Sequence, residues 1–135
     1  MKKLLTLLAL IFTVMFSSTS FGGWTKVSEG VGGINRGNTF YVDFERIRKH
    51  DGYVYYWRMS DYLKPTINGH FSDKVYIQGD CKSFGIKFLN SFYHREPMGE
   101  GTTYRTYIKP DNEWRYVSPN SILEIALNFV CEYAN

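Results

Sequence analysis

Apolar and polar residues alternate one by one through most of this chain, and only near its end does the alternation give way to a three-to-four spacing. From Thr39 to Phe44, Phe40, Val42 and Phe44 fall on one side and Thr39, Tyr41 and Asp43 on the other, as in a strand with one face buried. From Tyr53 to Tyr62 the sets are Tyr53, Tyr55, Trp57 and Met59 against Val54, Tyr56, Arg58, Ser60 and Tyr62. Between Ser72 and Cys81, Val75, Ile77 and Cys81 oppose Lys74, Tyr76, Gln78 and Asp80. Phe84, Ile86, Phe88 and Phe92 then oppose Lys87, Leu89, Ser91 and Tyr93. A short strand at Trp24 to Ser28 and an edge strand at Thr102 to Ile108 complete the set. Glycines at 30, 32, 33 and 37 mark a flexible connection over residues 30–38. Residues 45–49 read as a compact charged link turning Ile47 inward, His50, Asp51 and Gly52 as a turn, and residues 65–69 as a break.

After residue 118 the period changes. Ser118 and Pro119 suit a helix entry, and Ser121 followed by Glu124 is a capping-box pattern, so one of the two serines caps a helix. Ile122, Ile125, Ala126, Phe129 and Val130 share its apolar arc, widened by Leu123 and Leu127, with Ser121, Glu124, Asn128 and Glu132 opposite. The implied class is α+β, an antiparallel sheet of about six strands with one C-terminal helix packed on one face. On this reading the helix covers Phe40, Trp57, Ile77 and Phe88, and Tyr53 and Tyr55 join the core. The bare face then collects Tyr41, Tyr56, Tyr62, Tyr76 and Tyr93 with Arg58, Lys74 and Lys87. Tyrosine supplies large, stiff, amphipathic contact area, so such a face suits a protein partner or a second copy, although strand propensity alone also places tyrosine on solvated faces.

The N-terminus changes what the working protein contains. Lys2 and Lys3 precede an apolar run from Leu4 to Phe16 and small polar residues at Ser17 to Ser20, the order of a secretory signal peptide. Cleavage after Gly22, with a cut after Ser20 as the alternative, leaves a single domain over residues 23–135, and the run is shorter than the about 20 residues that span a bilayer. Export to the periplasm or the medium follows, with no transmembrane segment after cleavage and no cysteine at the cut to take a lipid. Losing Lys2 and Lys3 lowers Lys+Arg from 16 to 14 against 13 Asp+Glu, so the net charge drops from +3 to +1. So balanced a chain lacks the positive field that a phosphate backbone calls for, and nucleic acid is not an expected partner.

Cys81 and Cys131 are the two cysteines, both in the exported part, and in an oxidising compartment they are most simply each other's partner. Cys81 lies on the apolar side of its strand and Cys131 at the border of the helical arc, so a bond between them would clamp helix to sheet. Enzyme chemistry finds little footing. His50, His70 and His94 are scattered, without metal-ligand spacing, and no nucleophile elbow occurs. "GVGG" and "MGEG" lack the strand and helix that flank a phosphate loop. The expectation is a non-enzymatic binding module without metal or cofactor. The alternative is a small-ligand or haem-binding envelope protein using Tyr93, His94 and nearby basic residues.

Three stretches, "NTFYVDFERIRKHDGYVYYW", "SDKVYIQGDCKSFGIKFLNSFYHREPMGEG" and "NSILEIALNFVCEYA", resemble the surface-adhesin protein E-like domains of Gram-negative bacteria. The resemblance implies a six-stranded antiparallel sheet with a C-terminal helix held to it by a disulfide. It also implies surface exposure, dimers and, in the best-known members, attachment to host matrix glycoproteins. Cys81 and Cys131 are the positions it carries over. The adhesin is a lipoprotein, and the missing lipobox cysteine points this chain toward a periplasmic or released state.

Overall fold

The computed structural model describes residues 23–135 apart from Ile108, and side chains outside 104–108; the expected leader, residues 1–22, lies outside the described residues. The elements are β1 (Trp24–Glu29), β2 (Thr39–Asp43), β3 (Arg48–His50), β4 (Tyr53–Asp61), β5 (Ser72–Asp80), β6 (Gly85–His94), β7 (Thr103–Tyr107), β8 (Arg115–Tyr116) and one described α-helix, α1 (Ile122–Ala134). They form one antiparallel sheet in the order β1-β2-β4-β5-β6-β7, with β3 also paired to β4 and β8 to β6. The six strands on that path are those the alternation predicts, and their order is set by the pairing. The short β3 and β8 escape that signal, being charged or only two residues long. At the β3–β4 junction Asp51 and Gly52 both take positive φ (51° and 83°), and His50 pairs with Tyr53 across them. Aspartate and glycine are the residues a two-residue hairpin turn of that hand requires.

Ser121 is the helix cap, its Oγ accepting the Glu124 N–H at 3.2 Å, while Glu124 Oε1 accepts the Asn120 N–H at 3.0 Å. At the other end Lys49 Nζ donates to the Ala134 carbonyl at 2.7 Å, a cation on the negative end of the helix. The helix lies over Gly79. A Cβ there would stand 2.6 Å from Leu127 Cδ1, so the missing side chain is what lets the two layers approach. Around that contact Val42, Val54, Tyr56, Val75, Ile77 and Ile86 meet Ala126, Leu127, Val130 and Cys131 in the core.

This corrects the assignment of faces along β4. Tyr56 is buried beneath the helix at 1 % exposure, whereas Tyr53, Tyr55 and Trp57, expected in the core, are half-buried on the opposite side. The aliphatic residues decide the matter. Val54 and Tyr56 pair with Gly79 and Ile77, and these with Ile86 and Phe88, which makes one continuous surface for α1. Met59 is fully buried as expected, but on the Trp57 side, where Gly99 of the turn Pro97–Gly99 closes over it. A bulge adds a second correction. Tyr76 pairs with Asn90 and Ile77 with Phe88, so Leu89 is an extra residue, and Phe92 emerges on the face opposite Phe88.

Cys81 and Cys131 are joined, their Cα atoms 5.8 Å apart, 50 positions apart in sequence. The bond anchors the middle of the chain to the last turns of α1. Cys81→Ala combined with Cys131→Ala should lower the unfolding free energy in a urea titration by about 4 kcal/mol, the loop-entropy value for such a closure, and reduction of the wild type should reproduce the loss.

Candidate functional site

On the face away from α1, aromatic rings from three neighbouring strands pack against one another at a tilt. Trp57 lies 4.8 Å from Tyr76 and 5.7 Å from Phe92 between ring centroids, and Tyr55 lies 6.2 Å from Tyr76. All are half-buried, so each ring packs on its neighbours while part of it meets water. Tyr53 extends the strip to Trp114 at 5.2 Å, and Lys87 Nζ sits 4.8 Å from the Trp114 ring centroid, within cation–π range. Lys74, Gln78 and Asn90, pairing with Met59, Tyr55 and Tyr76, interleave the rings with polar groups. Each ring contact contributes about 0.5–1.5 kcal/mol beyond the area it covers, which holds the strip in one arrangement.

Trp114 was invisible to the alternation because it belongs to an irregular segment. Asp111 places it. The Asp111 backbone N–H donates to the Phe88 carbonyl at 2.9 Å, its Oδ2 accepts the Phe88 N–H at 3.0 Å, and both of its carboxylate oxygens accept from Arg115 at 2.7 and 3.0 Å. The Arg115 hydrogen bond holds the Asp111 carboxyl below the usual aspartate range.

Of the residues expected on the bare face, the structure gathers Tyr41, Lys74, Tyr76 and Lys87 there. Tyr56, Arg58, Tyr62 and Tyr93 lie on the helix side. Tyr56 is core, and burial pushes its hydroxyl well above the ordinary tyrosine range. Tyr62 donates to Asp73 Oδ2 at 2.5 Å, and burial followed by the Asp73 charge raises its pKa strongly. Tyr93 packs on His70 at 4.7 Å, and the Arg58 guanidinium carbon lies 5.9 Å from the Phe88 ring centroid. Arg58, Tyr62, Asp73 and Phe88 line a cleft of ≈ 670 Å³ with the start of α1 and residues 28–32, whose charged lining is Arg58 against Asp73 and Glu29. Tyr93 and His94, offered together as haem ligands, pair with Asp73 and Ser72 respectively and so occupy opposite faces of β6. They do not converge on one ligand. His94 faces the aromatic strip, beside Trp57, Lys74 and Phe92 in a recess of ≈ 320 Å³.

A profile of the surface-adhesin protein E family matches residues 24–132, nearly all of the described chain. This chain belongs to the surface-adhesin protein E family. No curated protein matches it. Among solved structures, crystal form II of Haemophilus influenzae protein E superposes with a TM-score of 0.63 at 16 % identity, covering 87 % of this chain and 94 % of that one. A second structure of Haemophilus influenzae protein E gives 0.61 at 16 % identity over 85 % and 88 %. Protein E from non-typeable Haemophilus influenzae gives 0.57 at 16 % identity over 85 % and 79 %. At that identity the shared property is the fold, including the sheet with its C-terminal helix. None of these likenesses fixes which side chains of the adhesin-E domain make contact.

Two measurements test this arrangement. Tyr56→Ala should cost about 3–5 kcal/mol in a urea titration, as for a large ring removed from a packed core, whereas Tyr76→Ala, which gives up two half-exposed ring contacts, should cost less, about 1–3 kcal/mol. The second concerns pH. His70 and His94 are 8 % and 5 % exposed, and burial lowers the pKa of both, aided at His94 by the Lys74 charge and opposed at each by Asp73. A lowered histidine pKa means that the unfolded chain binds more protons, so stability rises with pH. Their contribution is complete above about 6.5, the ordinary histidine value, and is lost as pH falls through it toward the folded-state values. The urea midpoint should therefore drop between pH 7.5 and 5.5, and the drop should shrink in His94→Gln.

Proposed function

We propose that this adhesin-E domain is an exported, non-enzymatic binding module that engages a protein partner through the aromatic strip opposite the helix. The carrying observation is the contiguous row Tyr55, Tyr76, Trp57 and Phe92, with Tyr53 and Trp114 alongside, left half-exposed by a sheet that has a helix on its other face. Aromatic side chains of this kind dominate the energetics of protein interfaces, because they cover much apolar area while losing little rotamer entropy. Lys74 and Lys87 around the rings favour an acidic partner surface and set its orientation.

Family membership supports the adhesive reading. The structurally similar chains are Haemophilus influenzae protein E, and the family is described as a surface adhesin, so a role at the cell envelope, in contact with matter outside it, fits this domain. A leader over residues 1–22 and a single domain over residues 23–135 are part of the same proposal. A homodimer formed by two copies of the strip is the narrower form of it. The haem alternative finds less support, because Tyr93 and His94 leave β6 in opposite directions.

Trp57→Asp and Tyr76→Asp place a charge in the middle of the strip while leaving the α1-side core untouched. In surface plasmon resonance against immobilised matrix glycoproteins, and in light scattering for the self-contact, each variant should weaken the interaction at least tenfold, while thermal unfolding stays cooperative and shows the variant folded at the assay temperature. Equal binding by wild type and both variants would remove the strip from the function.

A further inference from the structure

The end of the sheet where β1 turns into β2 and β4 into β5 exposes four aliphatic side chains. Val31 is 94 % exposed, Ile34 95 %, Leu63 65 % and Ile67 fully. Val31 and Ile34 belong to the loop over residues 30–38, Leu63 and Ile67 to the loop over residues 62–71. Both loops leave the same end of the sheet, because β2 runs antiparallel to β1 and to β4. They also touch. Leu63 N–H donates to Asn38 Oδ1 at 3.0 Å, and Gly37 backs so closely on Leu63 that a Cβ there would fall 2.6 Å from Leu63 Cδ2. Ile67 stands on a tight turn closed by Gly69 N–H to the Thr66 carbonyl at 2.8 Å and Thr66 N–H to the His70 carbonyl at 2.9 Å. Ile34 and Leu63 share an apolar cleft of ≈ 600 Å³ with Pro65.

The charges of these loops are one-sided. Across residues 30–38 and 62–71 the charged side chains are Arg36 and Lys64, both exposed, with no Asp or Glu. The acids at the flanking strand ends are engaged, Glu29 with Lys26 Nζ at 2.9 Å and Asp61 with the Met98 N–H at 2.8 Å. Glu96 and Glu100 belong to the third loop at this end, whose Gly99 closes over Lys74 and Met59 on the opposite face of the sheet.

Exposed aliphatics on two loop tips that carry two cations and no acid of their own have the chemistry of a surface that enters the boundary between lipid headgroups and acyl chains. A second copy of the chain fits less well, since a two-fold contact of tip on tip would bring Arg36 and Lys64 against their own kind. We propose that this tip docks on an anionic lipid bilayer, with Val31, Ile34, Leu63 and Ile67 below the headgroups and Arg36 and Lys64 at the lipid phosphates. The surface is separate from the aromatic strip, and the two can be engaged at once.

Co-sedimentation of the chain spanning residues 23–135 with vesicles of phosphatidylglycerol and phosphatidylcholine tests this, with pure phosphatidylcholine as the comparison. Binding should require the anionic lipid and weaken as salt rises. Ile34→Asp and Ile67→Asp should each reduce it at least tenfold, and Arg36→Glu and Lys64→Glu each about fivefold. All four positions are exposed, so thermal unfolding should stay within a few degrees of wild type and exclude misfolding as the cause. Tyr76→Asp should bind vesicles as wild type does, which separates this proposal from the reading of the aromatic strip. No sedimentation of wild type at any anionic content, or binding indifferent to Ile34→Asp and Ile67→Asp, would overturn it. So would a concentration-dependent dimer that Ile67→Asp splits in the absence of vesicle binding, because the tip would then belong to a second copy.

Discussion

The contact between α1 and the sheet at Gly79 is the constraint on which the other features depend. A helix can lie this close only where a strand offers no side chain beneath it, and Leu127 fills the space that a Cβ at residue 79 would take. Val54 and Tyr56 on one side and Ile86 on the other complete the socket, and the Cys81–Cys131 bond holds the end of the helix to the strand that leaves it. Lys49 of β3 at the Ala134 carbonyl and Ser121, the residue before α1, at the Glu124 amide satisfy the helix ends. With both ends and the middle fixed, α1 has one seat.

Once that seat is taken, every other side chain of the central strands has its side assigned, because strand neighbours point in opposite directions. Burying Tyr56 obliges Tyr55 and Trp57 to face outward, and Trp57 then meets Tyr76 and Phe92 through cross-strand pairing. The aromatic strip is therefore a consequence of where the helix sits. Its rings shield one another enough to stay ordered and leave enough surface for a partner. Loops at the far end of the sheet differ, since their aliphatic residues are exposed and are supported from below by backbone hydrogen bonds.

Between these regions lies a polar cluster whose members hold loops to strands. Tyr62 bonds Asp73, His70 packs on Tyr93, and Ser72 Oγ donates to the Glu96 carbonyl at 2.6 Å while accepting the Gly99 N–H at 2.9 Å. Burial keeps Tyr62 protonated and disfavours charge on His70 and His94, so the cluster stays joined while its histidines are neutral. The loops over residues 62–71 and 95–102 are thus tied to the sheet beside two histidines whose charged forms burial disfavours.

The sequence by itself determined the elements. Period-two alternation marked the six long strands, Ser121 with Glu124 marked the helix start, and two cysteines in an exported chain marked the bond, because these signals are local or allow a single pairing. It also placed Tyr41, Lys74, Tyr76 and Lys87 outward. What tertiary structure alone decided was which side of β4 faces the helix, since Tyr53, Tyr55 and Trp57 outweigh Val54 and Tyr56 in apolar area, and a face is buried by what packs on it. Gly79 was the signal that could have settled this, but only once its pairing with Val54 was known. The bulge at Leu89 and the docking of Trp114 by Asp111 were likewise set by contacts between strands, where alternation within one strand carries no information.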